Sequence, residues 1–397
     1  MSNTSPKIKI VILVNELLRG GAQRIILDIA KNINRTVFSL RIVYLKSHEN
    51  FESNIKTLAG EIETSGIPVT CLYGGKHFSM GEAWQLYRFL RNEKPDVLHL
   101  FLPYAGILGR IIGRYAGVKA IVSTQCNLPL AYSPKIYWLD KLTLFLGTVW
   151  TGATEGIELL YGGSVSKFSK SIWEEGRRHF TVVAGVDLSV FDGRVLSTDR
   201  NEKRQEVGIP QEAKLAMMIS RMISWKGHTD LVSAMKFLPQ YVHLALVGWG
   251  LLENELKKQA RKEGTTERIH FLGARSDVPE LLKTADVYIQ AHSRATDGSI
   301  WMGPNTSQME ACAASIPSVS TAVPLIESLI EDGVTGVLAE PNNPKDLARA
   351  IAWILEHKDE AKKLADAARK RVEERYSLSS MIHSYESLYK AVTDNNM

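Results

Sequence analysis

The segment KIKIVILVNELLRGGAQRIILDIAKNI, residues 7–33, decides the fold class. It opens with a nearly continuous apolar run, which predicts a β-strand that is buried on both faces. Its last part repeats apolar side chains at helical spacing, and the pair Gly20-Gly21 separates the two patterns. A buried strand that leads directly into a helix is typical of a parallel sheet covered by helices, so we expect an α/β protein.

The same alternation of strand and helix patterns continues along the chain. Further strands are predicted at SLRIVYL, IPVTCLY, DVLHLF and KAIVST, with helices at EAWQLYRFLRNE and AGILGRIIGRYAG. A second series begins near Leu215 with AKLAMMIS and continues through VHLALVG, IHFLG, VYIQA, SVST and GVLA. Between the two series, residues 187–210 are polar and weakly periodic, which predicts a linker. We therefore expect two doubly wound parallel-sheet domains that face a cleft.

Length and composition agree with a two-domain protein of the cytoplasm. The chain has 397 residues, more than one core comfortably holds, with 45% hydrophobic and 23% charged residues. Cys71, Cys126 and Cys312 form neither a metal-ligand spacing nor a disulfide framework, which favours a reducing compartment. The N-terminal residues resemble a first strand rather than a signal peptide, and no apolar run is long enough to span a membrane.

The net charge of +5 is unevenly distributed. Residues 1–190 contain 22 Lys and Arg against 15 Asp and Glu, whereas the remainder contains 26 against 28. This pattern is either scatter on solvated faces or a sign that the first half meets an anionic surface or substrate. The chain shows no nucleic-acid-binding motif, so we do not expect nucleic acid as a partner.

Two loops carry residues that are suited to phosphate binding. Gly20-Gly21 precede a helix whose amides and positive dipole end attract anions, although a plain turn is the alternative. In ISRMISWKGH, residues 219–228, Arg221 and Lys226 flank a short loop after a predicted strand. A guanidinium and an ammonium at this place can bracket a diphosphate and stabilise charge on a leaving group. The alternative is a solvated surface pair.

The stretch DGSIWMGPNTSQMEACA, residues 297–313, predicts a loop that leads into a helix. Its proline and polar residues suit a helix N-terminus, whose amides would meet a ligand. Glu310 lies about one turn inside that helix, where its carboxylate can accept hydrogen bonds from both hydroxyls of a ribose. The alternative is that Glu310 is a buried structural carboxylate. Arg275, just past another predicted strand, is either a stacking partner for a nucleobase or an ion-pair partner of Asp277.

Taken together, these segments resemble the retaining GT-B glycosyltransferases of family 4, and the resemblance covers nearly the whole chain. GGAQRIILDIA is similar to the family's GGAE segment, STQCN to STEHN, and TVVAGVDLSVF to VIPNGVDLERF. SRMISWKG matches the family's donor-diphosphate motif, and VGWGLLENEL and FLGARSDVPELLKTADVYI match the two blocks that follow it. Each motif alone is moderately specific, whereas their order and spacing together are very specific.

The resemblance implies a GT-B fold with three parts. These are an acceptor-side domain over residues 1–188, a nucleotide-sugar-binding domain over 189–375, and a C-terminal helix over 376–397 that returns to the first domain. It also implies retaining transfer without a catalytic metal or other cofactor. The catalytic residues would be Arg221, Lys226 and Glu310. The donor-binding residues would be Gly20, Gly21, Arg275, Asp297, Trp301, Gly303, Pro304, Asn305 and Thr306. The acceptor side would include His99, Tyr104, Gln125, Cys126 and Asn127.

Several positions depart from the family's motifs. Met302 stands where the family has the first of two glutamates, and Cys126 replaces a histidine. Loss of one contact that positions the sugar costs about 10²-fold, well short of abolishing activity. We therefore expect an active enzyme with a remodelled donor loop, in which Asp297, Ser299 or Trp301 replaces the carboxylate. The alternatives are a non-catalytic nucleotide-sugar-binding partner of another transferase and a nucleotide-sugar epimerase of the same fold.

The expected reaction moves a hexose, with glucose as the best guess, from a UDP-sugar to an acceptor glycan. That acceptor would be a growing envelope or extracellular polysaccharide, or a glycan linked to a polyprenyl diphosphate. The segment SPKIYWLDKLTLFLGTVW, residues 133–150, suits a buried helix, and a patch that faces an anionic membrane is the alternative. We expect a cytoplasmic protein, with the inner face of the membrane as an alternative place of action.

Overall fold

The computed structural model describes residues 6–18, 20–46, 58–72, 80–126, 133–162, 164–294 and 303–394. The chain divides into two compact units. The first unit comprises residues 1–184 and 379–397, and the second comprises residues 185–378. Each unit is built around one sheet of parallel strands, so the α/β class expected from the sequence is confirmed.

The first unit has a sheet of seven strands within the described residues. The strands are β1 (Ile8–Val14), β2 (Phe38–Tyr44), β3 (Val69–Cys71), β4 (Val97–Phe101), β5 (Ala120–Gln125), β6 (Val149–Gly152) and β7 (His179–Thr181). The helices are α1 (Gly21–Asn32), α2 (Ala59–Thr64), α3 (Met80–Glu93), α4 (Pro103–Tyr115), α5 (Pro134–Thr143), α6 (Glu155–Gly162) and α7 (Lys170–Glu174). The strand order is β3-β2-β1-β4-β5-β6-β7.

The second unit has a sheet of six strands within the described residues. The strands are β8 (Lys214–Ile219), β9 (Val242–Val247), β10 (Ile269–Gly273), β11 (Val287–Gln290), β12 (Ser318–Thr321) and β13 (Val337–Ala339), in the order β10-β9-β8-β11-β12-β13. The helices are α8 (Leu188–Ser197), α9 (Arg200–Glu206), α10 (His228–Ala234), α11 (Glu253–Lys262), α12 (Val278–Leu282), α13 (Thr306–Ala313), α14 (Pro344–Glu356) and α15 (Lys358–Arg375). The last helix, α16 (Leu378–Asp394), lies almost entirely in the first unit.

Both sheets reverse their strand order at one internal position. In the first unit β1 pairs with both β2 and β4, and in the second β8 pairs with both β9 and β11. The connections before and after such a reversal leave the sheet on opposite faces, which opens a crevice at the carboxyl ends of the two central strands. The folds of both units therefore place their natural ligand sites after β1 and β4, and after β8 and β11.

The linker predicted over residues 187–210 is wrong, because this stretch forms α8 and α9. Asp187 caps α8 by accepting a hydrogen bond from Val190 N, and Asp199 caps α9 in the same way. Phe191 and Val195 are buried on α8. Both helices are short and α9 has no apolar residue, so their periodicity was too weak to predict them.

The buried helix predicted over residues 133–150 is only partly correct. Helix α5 forms there, but Trp138, Leu139, Leu142 and Phe145 are exposed, with Phe145 at 81%. These four residues recur at spacings that place them on one side of α5 and of the short helical turn that continues it. We call them the α5 apolar face. None of the helices within the described ranges has both the length and the hydropathy that a bilayer-spanning segment needs.

Candidate active site

The loop after β8 carries the two cations that the sequence singled out. Arg221 is exposed, whereas Lys226 is buried, with 8% of its surface exposed. Gly227, at φ 74°, ends this loop, and a Cβ there would overlap the carbonyl oxygen of Ala291, just past β11. Ser293 N also donates to Trp225 O at 3.1 Å. The loops after β8 and β11 therefore pack directly against each other, at the reversal point of the second sheet.

The charge of Lys226 is strongly affected by this packing. Burial, and to a smaller extent the positive charge of Arg221, lowers the pKa of Lys226 to about 7. Lys226 Nζ lies 3.1 Å from Nε2 of His292. Burial lowers the pKa of His292 well below its usual range. An anion bound at this position would favour the ammonium form and raise the lysine pKa. The site is therefore suited to a ligand that carries its own negative charge.

Polar side chains continue from His292 to the start of α13. Gln290 Nε2 lies 3.1 Å from His292 Nε2, and Asn305 Nδ2 donates to Gln290 Oε1 at 2.6 Å. The Tyr288 hydroxyl lies 3.1 Å from the same Gln290 oxygen. Gln290 and His292 are completely buried. We call Lys226, His292, Gln290 and Asn305 the Lys226 relay.

Helix α13 presents its N-terminus to the same region. Asn305 caps the helix by accepting a hydrogen bond from Gln308 N at 2.8 Å, while Gly303 turns the chain at φ 79°. Gly303 and Pro304 are buried, and Thr306 is half-buried. Ser307 Oγ donates to the carbonyl of Ile219, the last residue of β8, at 2.7 Å. This bond holds the start of α13 beside the end of β8, where helix amides and dipole favour an anion.

Glu310 lies in the second half of α13 and is half-buried. Its negative charge contributes to the raised pKa of Tyr288, which is due mainly to burial of the phenol. Glu310 thus belongs to the same neighbourhood as the Lys226 relay. Asp297 and Trp301, which the sequence assigned to donor binding, lie outside the described residues, as do Ser299 and Met302.

Arg275 is engaged in ion pairs. Its guanidinium donates to Asp277 at 2.8 and 2.6 Å and to Glu206 at 2.8 Å. These hydrogen bonds raise the pKa of Arg275 above its usual range, and those with Asp277 make the largest contribution. The ion pair with Asp277 that the sequence offered as an alternative is therefore present, and stacking of the guanidinium face on a nucleobase stays a prediction.

In the first unit, Gly20 directly precedes α1 and Gly21 is its first residue, at the helix start that the sequence predicts. Both are exposed, and Gly20 is the N-cap of α1 in an extended conformation. The first helical hydrogen bond runs from Arg24 N to Gly20 O at 2.9 Å, so the amides before Arg24 point out of the helix ladder. This is the geometry that binds phosphate oxygens at helix N-termini.

The residues predicted for the acceptor side have different surroundings. Tyr104 is 39% exposed, with Lys46 Nζ at 5.6 Å from the centre of its ring, and Cys126 is half-buried. Burial raises the pKa of the Cys126 thiol to about 12, so it stays protonated. Asn127 lies outside the described residues.

Two of the residues predicted for the acceptor side are buried in the first unit. His99 is completely buried, and its ring nitrogens lie 2.7 Å from the hydroxyls of Tyr389 and Thr124. Gln125 is also buried, and it contributes weakly to lowering the pKa of Asp140, which burial raises. In this structure both side chains contribute to the polar packing of the first unit, and their contact with an acceptor stays a prediction.

Sequence reasoning missed Gln290 and His292. The run VYIQA was interpreted only as a strand, although Gln290 within it and His292 directly after it are polar residues at alternate positions in an otherwise apolar segment. Buried polar side chains are costly unless they have hydrogen-bond partners. That interruption at the carboxyl end of a strand was the signal that could have found them.

Curated relatives match this chain along most of its length. The Escherichia coli UDP-Gal:alpha-D-GlcNAc-diphosphoundecaprenol alpha-1,3-galactosyltransferase is 24% identical over 365 residues, which cover 90% of each chain. The lipopolysaccharide core biosynthesis glycosyltransferase LpsE of Rhizobium meliloti is 26% identical over 298 residues, covering 75% of this chain and 76% of its own.

Solved structures show the same fold. Anabaena HepE, in complex with UDP and glucose, superposes with a TM-score of 0.80 at 19% identity, covering 97% of this chain and all of its own. A glycosyltransferase from Rickettsia africae superposes with a TM-score of 0.75 at 20% identity, covering 98% of this chain and all of its own. At these identities the likeness concerns the fold.

Two family models account for the two halves of the sequence. The model of glycosyltransferase family 4 matches residues 19–149, and that of glycosyl transferases group 1 matches residues 199–371. Together they cover well over half of the chain, including the β1–α1 loop, the Lys226 relay and α13. The chain belongs to the GT-B glycosyltransferases of family 4, the group 1 glycosyl transferases.

Proposed function

We propose that this protein is a metal-independent, retaining hexosyltransferase that uses a UDP-sugar. The observation that carries the proposal is the buried Lys226 beside exposed Arg221, at the reversal point of the second sheet. The N-terminus of α13 is hydrogen-bonded into the same place through Asn305. Two cations and a helix N-terminus together suit a diphosphate, which needs several fixed donors around its oxygens.

The proposed reaction needs charge stabilisation more than a protein nucleophile. The bond between the sugar's anomeric carbon and the diphosphate oxygen breaks, and its electron pair stays on the diphosphate. The acceptor hydroxyl attacks the same face of the sugar, and the leaving oxygen takes its proton. Arg221 and Lys226 stabilise the charge on the diphosphate, a contribution of about 10²–10³-fold per well-placed donor. Glu310 would accept hydrogen bonds from the hydroxyls of the ribose.

UDP-glucose is the first candidate donor, and UDP-galactose is its main competitor. The superposed structure of Anabaena HepE holds UDP and glucose, which supports the first. The E. coli relative is named for transfer from UDP-Gal, which supports the second. Glucose and galactose differ only in the configuration of one hydroxyl, so the choice between them rests on very few contacts.

The acceptor that we propose is a lipid-linked glycan or a growing envelope or extracellular polysaccharide, reached at the inner face of the membrane. The E. coli relative is named for an acceptor on diphosphoundecaprenol. In this chain, the α5 apolar face exposes Trp138 and Phe145, while Lys141 Nζ lies 5.9 Å from the ring centres of Tyr137 and Trp138. Aromatic and aliphatic side chains beside lysines are typical of helices that lie on anionic membranes.

The donor proposal is tested by incubating the purified protein with UDP-glucose, UDP-galactose, UDP-N-acetylglucosamine and GDP-mannose, and measuring released nucleotide and free sugar. We expect slow hydrolysis of one UDP-hexose, which Arg221→Ala reduces by about 10²-fold. Arg261→Ala is the matched control, because Arg261 is an exposed arginine on α11 of the same unit. Binding of a nucleotide sugar without release of nucleotide, even with lipid extract added, would favour the non-catalytic binding partner. Conversion of the nucleotide sugar to its epimer would favour the epimerase.

The membrane proposal is tested by co-sedimentation with vesicles of phosphatidylglycerol or of phosphatidylcholine. We expect binding to the anionic vesicles, weakened in Leu142→Ser on the α5 apolar face. Leu251→Ser is the matched control, since Leu251 is 94% exposed on the second unit. Equal binding of both variants, or equal binding to both lipids, would contradict the proposal.

A further inference from the structure

The hydrogen bonds of the Lys226 relay have a defined direction. Asn305 uses its Oδ1 to cap α13 and its Nδ2 to donate to Gln290 Oε1. With its oxygen so occupied, Gln290 turns its Nε2 toward His292, at 3.1 Å from the ring nitrogen Nε2. The amide orientation of Gln290 is thus set from α13.

Two hydrogen-bonding groups lie close to the same ring nitrogen of His292. Gln290 Nε2 and Lys226 Nζ each lie 3.1 Å from His292 Nε2. The amide NH₂ of Gln290 can only donate, so this nitrogen carries a lone pair and the proton of the neutral ring is on Nδ1; Lys226 in its ammonium form donates to the same lone pair. Burial favours the same neutral form, because it holds the pKa of His292 well below its usual range.

Side-chain hydrogen bonds from neighbouring elements hold the chain around His292 in place. Thr321 Oγ1 donates to the carbonyl of His292 at 2.8 Å, and Ser293 Oγ donates to Asp230 at 2.6 Å. Gln290 and His292 are both completely buried, so their polar atoms would be costly in an apolar strand end without such partners. The polar side chains after β11 are therefore held on three sides, by β12, α10 and α13.

We propose that His292 and Gln290 are positioning residues, which hold the Lys226 ammonium and the N-terminus of α13 together at one donor diphosphate. The inference rests on the proposed function for the diphosphate itself, and goes beyond it in assigning both residues. A neutral imidazole accepts a hydrogen bond from Lys226 but carries no negative charge, so it does not compete with the anion for the ammonium. A carboxylate in the same position would compete. The relay thus orients the ammonium and leaves its charge available to the ligand.

The proposal predicts how Lys226 titrates. The titratable groups that interact with the lysine are Arg221 on its own loop, His228 on α10 and His292 after β11. Asp230 on α10 reaches the same loop through Ser293, and Glu310 lies on α13. The lone pair of His292 stabilises the charged lysine, so its removal lowers the pKa of Lys226 below about 7. Diphosphate binding needs the ammonium, so affinity for UDP should then begin to fall at a lower pH.

The test uses the full-length protein with His292→Leu and His292→Gln. The pKa of Lys226 is measured in the ligand-free protein by NMR of lysines carrying ¹³C at Cε, with Lys226→Arg for assignment. UDP affinity is measured by calorimetry across the same pH range. We expect His292→Leu to lower the lysine pKa by about one unit and to weaken UDP binding about 10-fold near neutral pH. His292→Gln places an amide oxygen near the position of Nε2 and should restore both values.

His228→Leu is the matched control, because it removes another buried histidine near the lysine that has no hydrogen bond to it in the described structure. A folding defect alone would affect both leucine variants and would not be rescued by glutamine at position 292. An unchanged lysine pKa and UDP affinity in His292→Leu would overturn the assignment. If the unaltered protein does not bind UDP, the proposed function fails instead, and the NMR titration still decides whether His292 holds Lys226.

Discussion

Gly227 determines whether the loop that carries Lys226 can pack against the end of β11. Its φ of 74° lies in the left-handed region, and any Cβ would overlap the Ala291 carbonyl oxygen. Backbone strain and steric overlap are separate costs at this position. The chain offers a way to separate them, since Gly264 has a φ of 69° and nothing within 4 Å of its virtual Cβ.

We predict that Gly227→Ala weakens UDP binding and lowers stability by more than about 3 kcal/mol, because the loop must move away from β11. Gly264→Ala should cost only about 1–2 kcal/mol, the strain of a left-handed alanine, and leave UDP binding unchanged. Urea denaturation and calorimetry with UDP measure both effects. Similar losses in the two variants would show that backbone strain, rather than contact with Ala291, limits the loop.

The residues of the site differ in how well the sequence predicted them. Arg221 and Lys226 follow a strong strand pattern, and their loop lies at the reversal point of the second sheet. The sequence could not distinguish the two functions suggested for Arg275, because its partner Glu206 is distant along the chain. His292 and Gln290 were missed because a strand pattern records which residues are apolar, whereas their partners Lys226 and Asn305 lie on other elements.

Among the elements, α16 is attached to the first sheet through a buried polar contact. The Tyr389 hydroxyl lies 2.7 Å from His99 Nδ1, and Tyr385 on the previous helical turn lies 3.4 Å from Thr124. Burial lowers the pKa of His99 to about 3, so the ring is neutral at ordinary pH. A neutral buried imidazole needs one donor and one acceptor as partners, and α16 supplies one of them.

We predict that Tyr389→Phe destabilises the protein by about 1–3 kcal/mol, because it leaves a buried ring nitrogen of His99 without its partner. Tyr385→Phe removes a hydroxyl from the same helix with a longer contact, so its cost should be smaller. Urea denaturation followed by tryptophan fluorescence gives both values. A loss in Tyr385→Phe as large as that in Tyr389→Phe would argue that packing of the helix, and not the bond to His99, is what matters.

The elements of the second sheet were predicted more completely than those of the first. All six of its strands lie in segments that the sequence predicted as strands, whereas β6 and β7 were not recognised. Their place in the sheet comes from pairing with β5 and with each other, which a local pattern does not contain. The helices α8 and α9 were missed for a related reason, since Asp caps and contacts with the rest of the second unit stabilise them.

On the scale of the whole molecule, the two units carry different kinds of surface. Residues 1–190 have an excess of positive charge, and the α5 apolar face lies in the first unit. The Lys226 relay and α13 lie in the second unit. A nucleotide and an anionic bilayer should therefore act on separate parts of the chain, each stabilising the segments that it contacts.

We predict that hydrogen exchange will separate these two effects. UDP should slow amide exchange in residues 220–228 and 303–310, because a bound diphosphate fixes the loop after β8 and the start of α13. Phosphatidylglycerol vesicles should slow exchange in residues 134–146 and leave the UDP-protected segments unchanged. Arg221→Ala should lose the first protection and keep the second, while Leu142→Ser should do the reverse. Loss of both protections in either variant would mean that the two surfaces do not act independently.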